Sequence, residues 1–302
     1  MNRRRKNFQS YRAPRGHGKS FKFIIIASVL IAVVSALILG AVLGNRAEYD
    51  KYGKYERQNL IDFGGVEKPE KDYESFPVVV GKYVVMDGLG KSSFRSAIRG
   101  YMQSSAIVYD INGVDGVYFK TDIAGINSLC DMTVEEIGDV LSGEDRYGIA
   151  CFSVGSLNDS TLKDKLSMEL AVISEAASFG VNEIMLFGLP SDTESSKYVG
   201  AYLSFVEADL KKTAITVVLS RNDIDTAGAS RLISSSLAYV DGYAIDMRTA
   251  NNNELPRLIE KCAYYITNYN ARVIVNDAEG EEREEIEAIL SSYGIENYVF
   301  KK

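Results

Sequence analysis

The residues of this chain that could do chemistry stand where short apolar runs end. Asp87, Asp110 with Asn112, Arg221, Asp246 with Arg248, and Asn276 with Asp277 each follow such a run. Two carboxyls about 5 to 9.5 Å apart can cleave a glycosidic bond, one as acid and one as base or nucleophile. Asp110 and Asp246 directly continue their runs and are the candidate catalytic pair. Asp87, Asn112, Arg221, Arg248, Asn276 and Asp277 are candidate ligand-binding groups. The competing role for any single Asp or Asn at such a place is a helix cap or a turn. Asp115-Gly116 reads as a turn. The acidic run Glu279–Glu285 reads as the solvated start of a helix, where negative charge suits the dipole.

Composition removes other chemistries. The single histidine is His17, far from these runs, so no Ser-His-Asp or Cys-His nucleophile forms among them. A histidine-containing zinc site is excluded for the same reason. No phosphate loop of the GxxxxGKS kind is present. No metal and no cofactor is expected. Cys130, Cys151 and Cys262 are odd in number and widely spaced, unlike a disulfide framework, although a Cys130–Cys262 pair stays open. The chain has no Trp but 19 Tyr, so aromatic faces for a sugar would come from Tyr.

The runs that position these groups are 83–86, 106–109, 148–152, 183–187, 215–219, 242–245, 272–275 and 297–300. Their near-continuous apolar character fits parallel strands buried on both faces. Helix-like segments lie between them. Leu162–Phe179, closed by Gly180, places Leu162, Leu166, Leu170, Ile173 and Ala177 three and four apart. Tyr198–Leu210, Ala229–Leu237, Leu255–Tyr269 and Glu284–Tyr293 repeat the pattern. Thr133-Val134-Glu135-Glu136 resembles a capping box opening a helix at Ile137. This alternation predicts an α/β fold, a (β/α)8 TIM-like barrel lacking the final helix. An open doubly wound sheet is the alternative, and Asp87-Gly88-Leu89-Gly90 imitates its Gly-rich turn only weakly.

The N-terminal region reads differently. Phe23–Leu43 carries no charge and is long enough to cross a bilayer as a single transmembrane helix. Eight bases and no acid precede it, which places the N-terminus in the cytoplasm and the rest outside. A cleaved signal peptide is the rival, disfavoured by the length of the run. Removing those eight from 34 bases leaves 26 against 41 acids, a net charge of −15. So acidic a remainder excludes a nucleic-acid partner. The expected organisation is a basic tail (1–22), a membrane helix (23–44), a Tyr-rich stalk (45–80) and a barrel (81–302).

Three segments resemble an uncharacterised bacterial family of glycoside hydrolase-like (β/α)8 barrels, often found behind an N-terminal anchor. Residues 106–116 are similar to its second strand, roughly N-A-x-V-I-D-x-K-D-x-x-G, with Asp110 at the Asp and Asn112 in place of the Lys. Residues 180–190 are similar to G-F-D-E-I-x-F-D-Y-I-R-F-P, but Gly188 replaces the Asp after the Phe. Residues 239–247 are similar to Y-V-D-x-I-x-P-M, with Asp241 and Met247 matching. The resemblance implies a glycosidase scaffold that has lost its strand-four carboxylate. The function it implies is a membrane-anchored, extracytoplasmic, catalytically degenerate barrel that binds envelope polysaccharide or a surface protein. An active glycosidase using a rearranged pair among Asp87, Asp110, Asp246 and Asp277 is one alternative. A structural platform for assembly at the cell surface is the other.

Overall fold

A computed structural model describes residues 77–101, 104–155, 162–178, 181–210 and 213–302. The basic tail, Phe23–Leu43, nearly all of the stalk and Gly180 lie outside the described residues. No helix among the described residues is long and apolar enough to cross a membrane.

Eight parallel strands close into a barrel in sequence order. They are β1 (Val80–Tyr83), β2 (Ala106–Asp110), β3 (Tyr147–Ser153), β4 (Glu183–Phe187), β5 (Ala214–Leu219), β6 (Gly242–Asp246), β7 (Arg272–Asn276) and β8 (Tyr298–Lys301). Helices α1 (Lys91–Gly100), α2 (Val134–Gly143), α3 (Leu162–Ala177), α4 (Val199–Asp209), α5 (Arg221–Asp225), α6 (Gly228–Ser236), α7 (Leu255–Tyr269) and α8 (Gly280–Ser292) connect them. Closure comes at Gly81, which registers with Ala106 of β2 on one side and Val299 of β8 on the other. A Cβ there would meet Val299 Cγ1 at 2.5 Å and Val108 Cγ2 at 2.9 Å, so the seam requires glycine.

The pleat sorts alternate residues into two cores. Val108, Ile149, Cys151, Met185, Val218, Ala244, Ile274 and Val299 fill the barrel axis. Their neighbours, such as Ile107, Leu186, Val217, Ile245 and Val275, face outward and pack under the helices. α3 supplies Val172, Ile173 and Ala176 to that outer core. α2 begins at Val134, three residues earlier than expected. Its Thr133 hydroxyl accepts from Glu136 N while Glu136 Oε2 accepts from Thr133 N, both at 3.2 Å. α8 also begins earlier, at Gly280, so Glu281 and Glu282 occupy its first turn.

The first strand lies three residues before the expected run 83–86. Val80-Gly81-Lys82-Tyr83 is a poor strand by composition. It is strand because Gly81 fits the seam and Lys82, 3 % exposed, pairs with Asp277.

The N-terminal end of the barrel is closed by charge. Arg272 and Glu183 both have fully buried side chains and are joined Nη1 to Oε1 at 2.5 Å. Thr216 Oγ1 donates to the same Glu183 oxygen at 2.7 Å. Arg272 Nε donates to Asn297 Oδ1 at 2.9 Å and Nη2 to the Pro77 carbonyl at 3.2 Å. Burial and the Glu183 carboxylate hold the neighbouring Tyr147 hydroxyl above the ordinary phenol range. Arg272→Met leaves Glu183 as an unpaired buried charge and should cost about 3–5 kcal/mol. Replacing the pair together, Arg272→Met with Glu183→Leu, should recover most of that loss in chemical denaturation.

Candidate functional site

In a (β/α)8 barrel the strand C-termini converge on one face, where inward-pointing residues form the mouth. Here the inward positions at that level include Tyr83, Asp110, Phe187, Asp246 and Lys301. Asp110 is the last residue of β2 and Asp246 the last of β6, and the period-two pleat turns both toward the axis.

Both carboxylates are occupied. Lys301 Nζ lies 2.7 Å from Asp110 Oδ1, and the Tyr83 hydroxyl donates to Oδ2 at 2.7 Å. Asp246 is gripped by a fork from Arg248. Nε reaches Oδ1 at 2.9 Å and Nη2 reaches Oδ2 at 2.7 Å, while Arg248 N donates to Oδ1 at 3.1 Å. Such bidentate, charge-assisted pairs are the strong end of protein hydrogen bonding. The Arg248 guanidinium is accordingly held even higher than usual, chiefly by its bond to Asp246.

Phe187 stands between the two cations. Its ring centroid is 5.4 Å from Lys301 Nζ and 5.4 Å from Arg248 Cζ. Lys301 also lies 4.6 Å over the Tyr83 ring. Beneath them Cys151 is buried, which pushes its thiol far above the ordinary range against the pull of Lys301. Tyr83 is likewise raised, first by burial and then by Asp110. The axis of the mouth is therefore packed with side chains. Strand four ends at Phe187 and turns at Gly188, φ +75°, where the resembled family has an acid.

The other sequence candidates separate. Asp87 is exposed in a turn, Leu89 N donating to Met86 O at 3.0 Å, because β1 ends four residues before it. Asp277 points outward to Lys82, which lies 5.5 Å from the Tyr101 ring and 6.0 Å from Phe300. Asn112 is a clamp: Oδ1 accepts from Ser153 N at 2.8 Å and Nδ2 donates to Ser153 O at 3.0 Å. Arg221 opens α5, whose capping box is Ser220 and Asp223, and its guanidinium pairs with Glu254 at 3.8 Å. Arg248 and Asn276 come together, sharing a cleft of about 530 Å³ between the β6–α7 loop and α8. Cys130, Cys151 and Cys262 are all free and buried.

Tyr83, Phe187 and Lys301 belong to the mouth without having been among the sequence candidates. The signal for Lys301 was its place at the end of an apolar run. Among the described residues no cluster of three His, Cys, Asp or Glu could hold a metal ion.

No family model matches the chain, and no curated protein sequence is similar to it. Solved structures are similar in fold. A Bacteroides thetaiotaomicron protein assigned as an α-L-fucosidase has a TM-score of 0.53 at 10% identity, over 78% of this chain and 89% of that one. β-Glucuronidase 2 of Bacteroides uniformis, covalently bound to cyclophellitol-6-carboxylate aziridine, has 0.52 at 7% identity, over 74% of this chain and 30% of that one. Xylanase 10B of Thermotoga petrophila, in complex with xylobiose, has 0.47 at 11% identity, over 78% and 86%.

The Asp110–Lys301 pair should register in a double-mutant cycle. Lys301 is 6% exposed in its side chain and Asp110 26%, so the pair is only partly shielded from solvent. With Asp110→Asn and Lys301→Met, a coupling of about 1–3 kcal/mol is expected in chemical denaturation. Additivity of the two single losses would show that the pair contributes nothing.

Proposed function

We propose that this chain is a glycoside hydrolase-like barrel that binds envelope glycan without cleaving it, tethered outside the membrane by Phe23–Leu43. One observation carries the reading. Both mouth carboxylates, Asp110 and Asp246, are neutralised by Lys301 and Arg248 around Phe187. Glycoside hydrolysis needs one carboxyl free to protonate the leaving oxygen and a second free to attack or to activate water. A carboxylate engaged by an ammonium and a phenol, or by a guanidinium fork, must break those contacts to serve as acid or nucleophile. Phe187 and Gly188, where strand four would carry an acid, agree with this.

The glycan half of the reading rests on the resemblance of residues 106–116, 180–190 and 239–247. It is supported by the two barrels with TM-scores above 0.5, both named for acting on sugars. Location rests on the uncharged run and its basic flank.

The full-length chain in detergent micelles should release no reducing ends from an envelope polysaccharide preparation while co-sedimenting with it. Hydrolysis at a rate abolished by Asp110→Asn would falsify the reading. Location has its own test. A tag after Lys302 should be reached by an impermeant reagent on intact cells, and access only after lysis would refute the outside placement.

A further inference from the structure

We infer that the cleft between the β6–α7 loop and α8 is a binding site for a neutral saccharide, and that its carboxylates exclude acidic sugars. The inference rests on the glycan-binding reading above and places the ligand beside the barrel axis instead of within it.

The cleft, about 530 Å³, lies in the range of ordinary small-ligand sites. Its floor is apolar, built by Met247, Leu255, Val275 and Ile286 from four successive elements. Its walls are hydroxyl, amide and carboxylate: Thr249, Asn252, Asn253, Asn276, Glu282 and Glu285. A pyranose ring has the same division, with C–H faces and a rim of hydroxyls. Amides offer both donors and acceptors, and carboxylates accept from hydroxyls, so the wall can satisfy a polyol without a charged ligand group.

The wall is also ordered. Asn251 Oδ1 accepts from Asn253 N and Glu254 N, both at 3.1 Å, which fixes the loop before α7. Asn252 Nδ2 donates to Glu285 Oε2 at 2.7 Å, joining that loop to α8 across the cleft.

Charge decides the class of sugar. Among the described residues Arg248 is the only cation lining the cleft, and its guanidinium is engaged by Asp246 and, through Nη1, by the Lys302 carbonyl. Glu282 and Glu285 face the same space with no cation bonded to either among the described residues. A uronate or a sulfated sugar entering there meets two like charges and no free cation. A hydroxylated neutral sugar meets two acceptors.

The test is calorimetric titration of the full-length chain in detergent micelles with cellotriose, maltotriose, the trisaccharide of N-acetylglucosamine, and trigalacturonate. At least one neutral trisaccharide should bind saturably and trigalacturonate should not. Thr249→Val with Asn276→Leu should weaken the neutral probe about tenfold or more, the scale of one or two lost hydrogen bonds. Glu282→Lys, an exposed site that leaves the fold intact, should admit trigalacturonate. The inference fails if no neutral probe binds, if binding ignores the Thr249 and Asn276 changes, or if trigalacturonate binds the unaltered chain as well as the neutral probes do. Release of reducing ends from any probe would instead refute the non-hydrolytic reading, whatever the cleft binds.

Discussion

A single guanidinium holds the floor of this barrel. Arg272 reaches β4 through Glu183, the residue before β8 through Asn297, and the entering chain through the Pro77 carbonyl. Three partners from distant parts of the sequence converge on this one side chain. A fully buried charge left unpaired costs more than its pairing gains, so such a cluster is weak evidence for stability and better evidence for register. Slipping β4 or β7 by one residue would turn Glu183 or Arg272 outward and strand the other. The registers that follow, Glu183 with Ala214 and Ala244 with Arg272, carry Phe187 and Asp246 to the opposite end at matched heights.

The mouth repeats the same treatment of charge with less burial. Each inward acid there has a cation of its own, and the aromatic rings of Phe187 and Tyr83 cover the cations. Cation–π contacts of this kind add about 0.5–2 kcal/mol each and also exclude water. At this mouth the acids, the cations and the rings close on one another.

Much of the fold was legible because parallel strands buried on both faces read as apolar runs, and seven of the eight runs coincide with strands. β1 was misplaced because Gly81 and Lys82 interrupt its apolar character for reasons that lie in β8 and after β7. α1 was missed because only Phe94 and Ile98 of its ten residues are buried, and α5 because it is a five-residue capping box. The inward aim of Asp110 and Asp246 follows from the pleat alone. Their fates differ in legibility. Arg248 is two residues from Asp246, whereas Lys301 is 191 residues from Asp110, a separation no local pattern spans.

Under the proposed reading, recognition falls to the rim, where loops after the strands are free to vary without disturbing the barrel. The acidic start of α8 illustrates the change of meaning. As sequence, Glu281, Glu282 and Glu285 are a solvated helix start that suits the dipole. In the fold, Glu282 and Glu285 form one wall of a cleft whose other walls come from Asn252 and Asn276. The helix begins at Gly280 instead of Glu284, and that extra turn brings Glu282 to the cleft. The dipole accounts for why acids are tolerated there. It does not account for the amides of Asn252, Asn253 and Asn276 that line the same cleft.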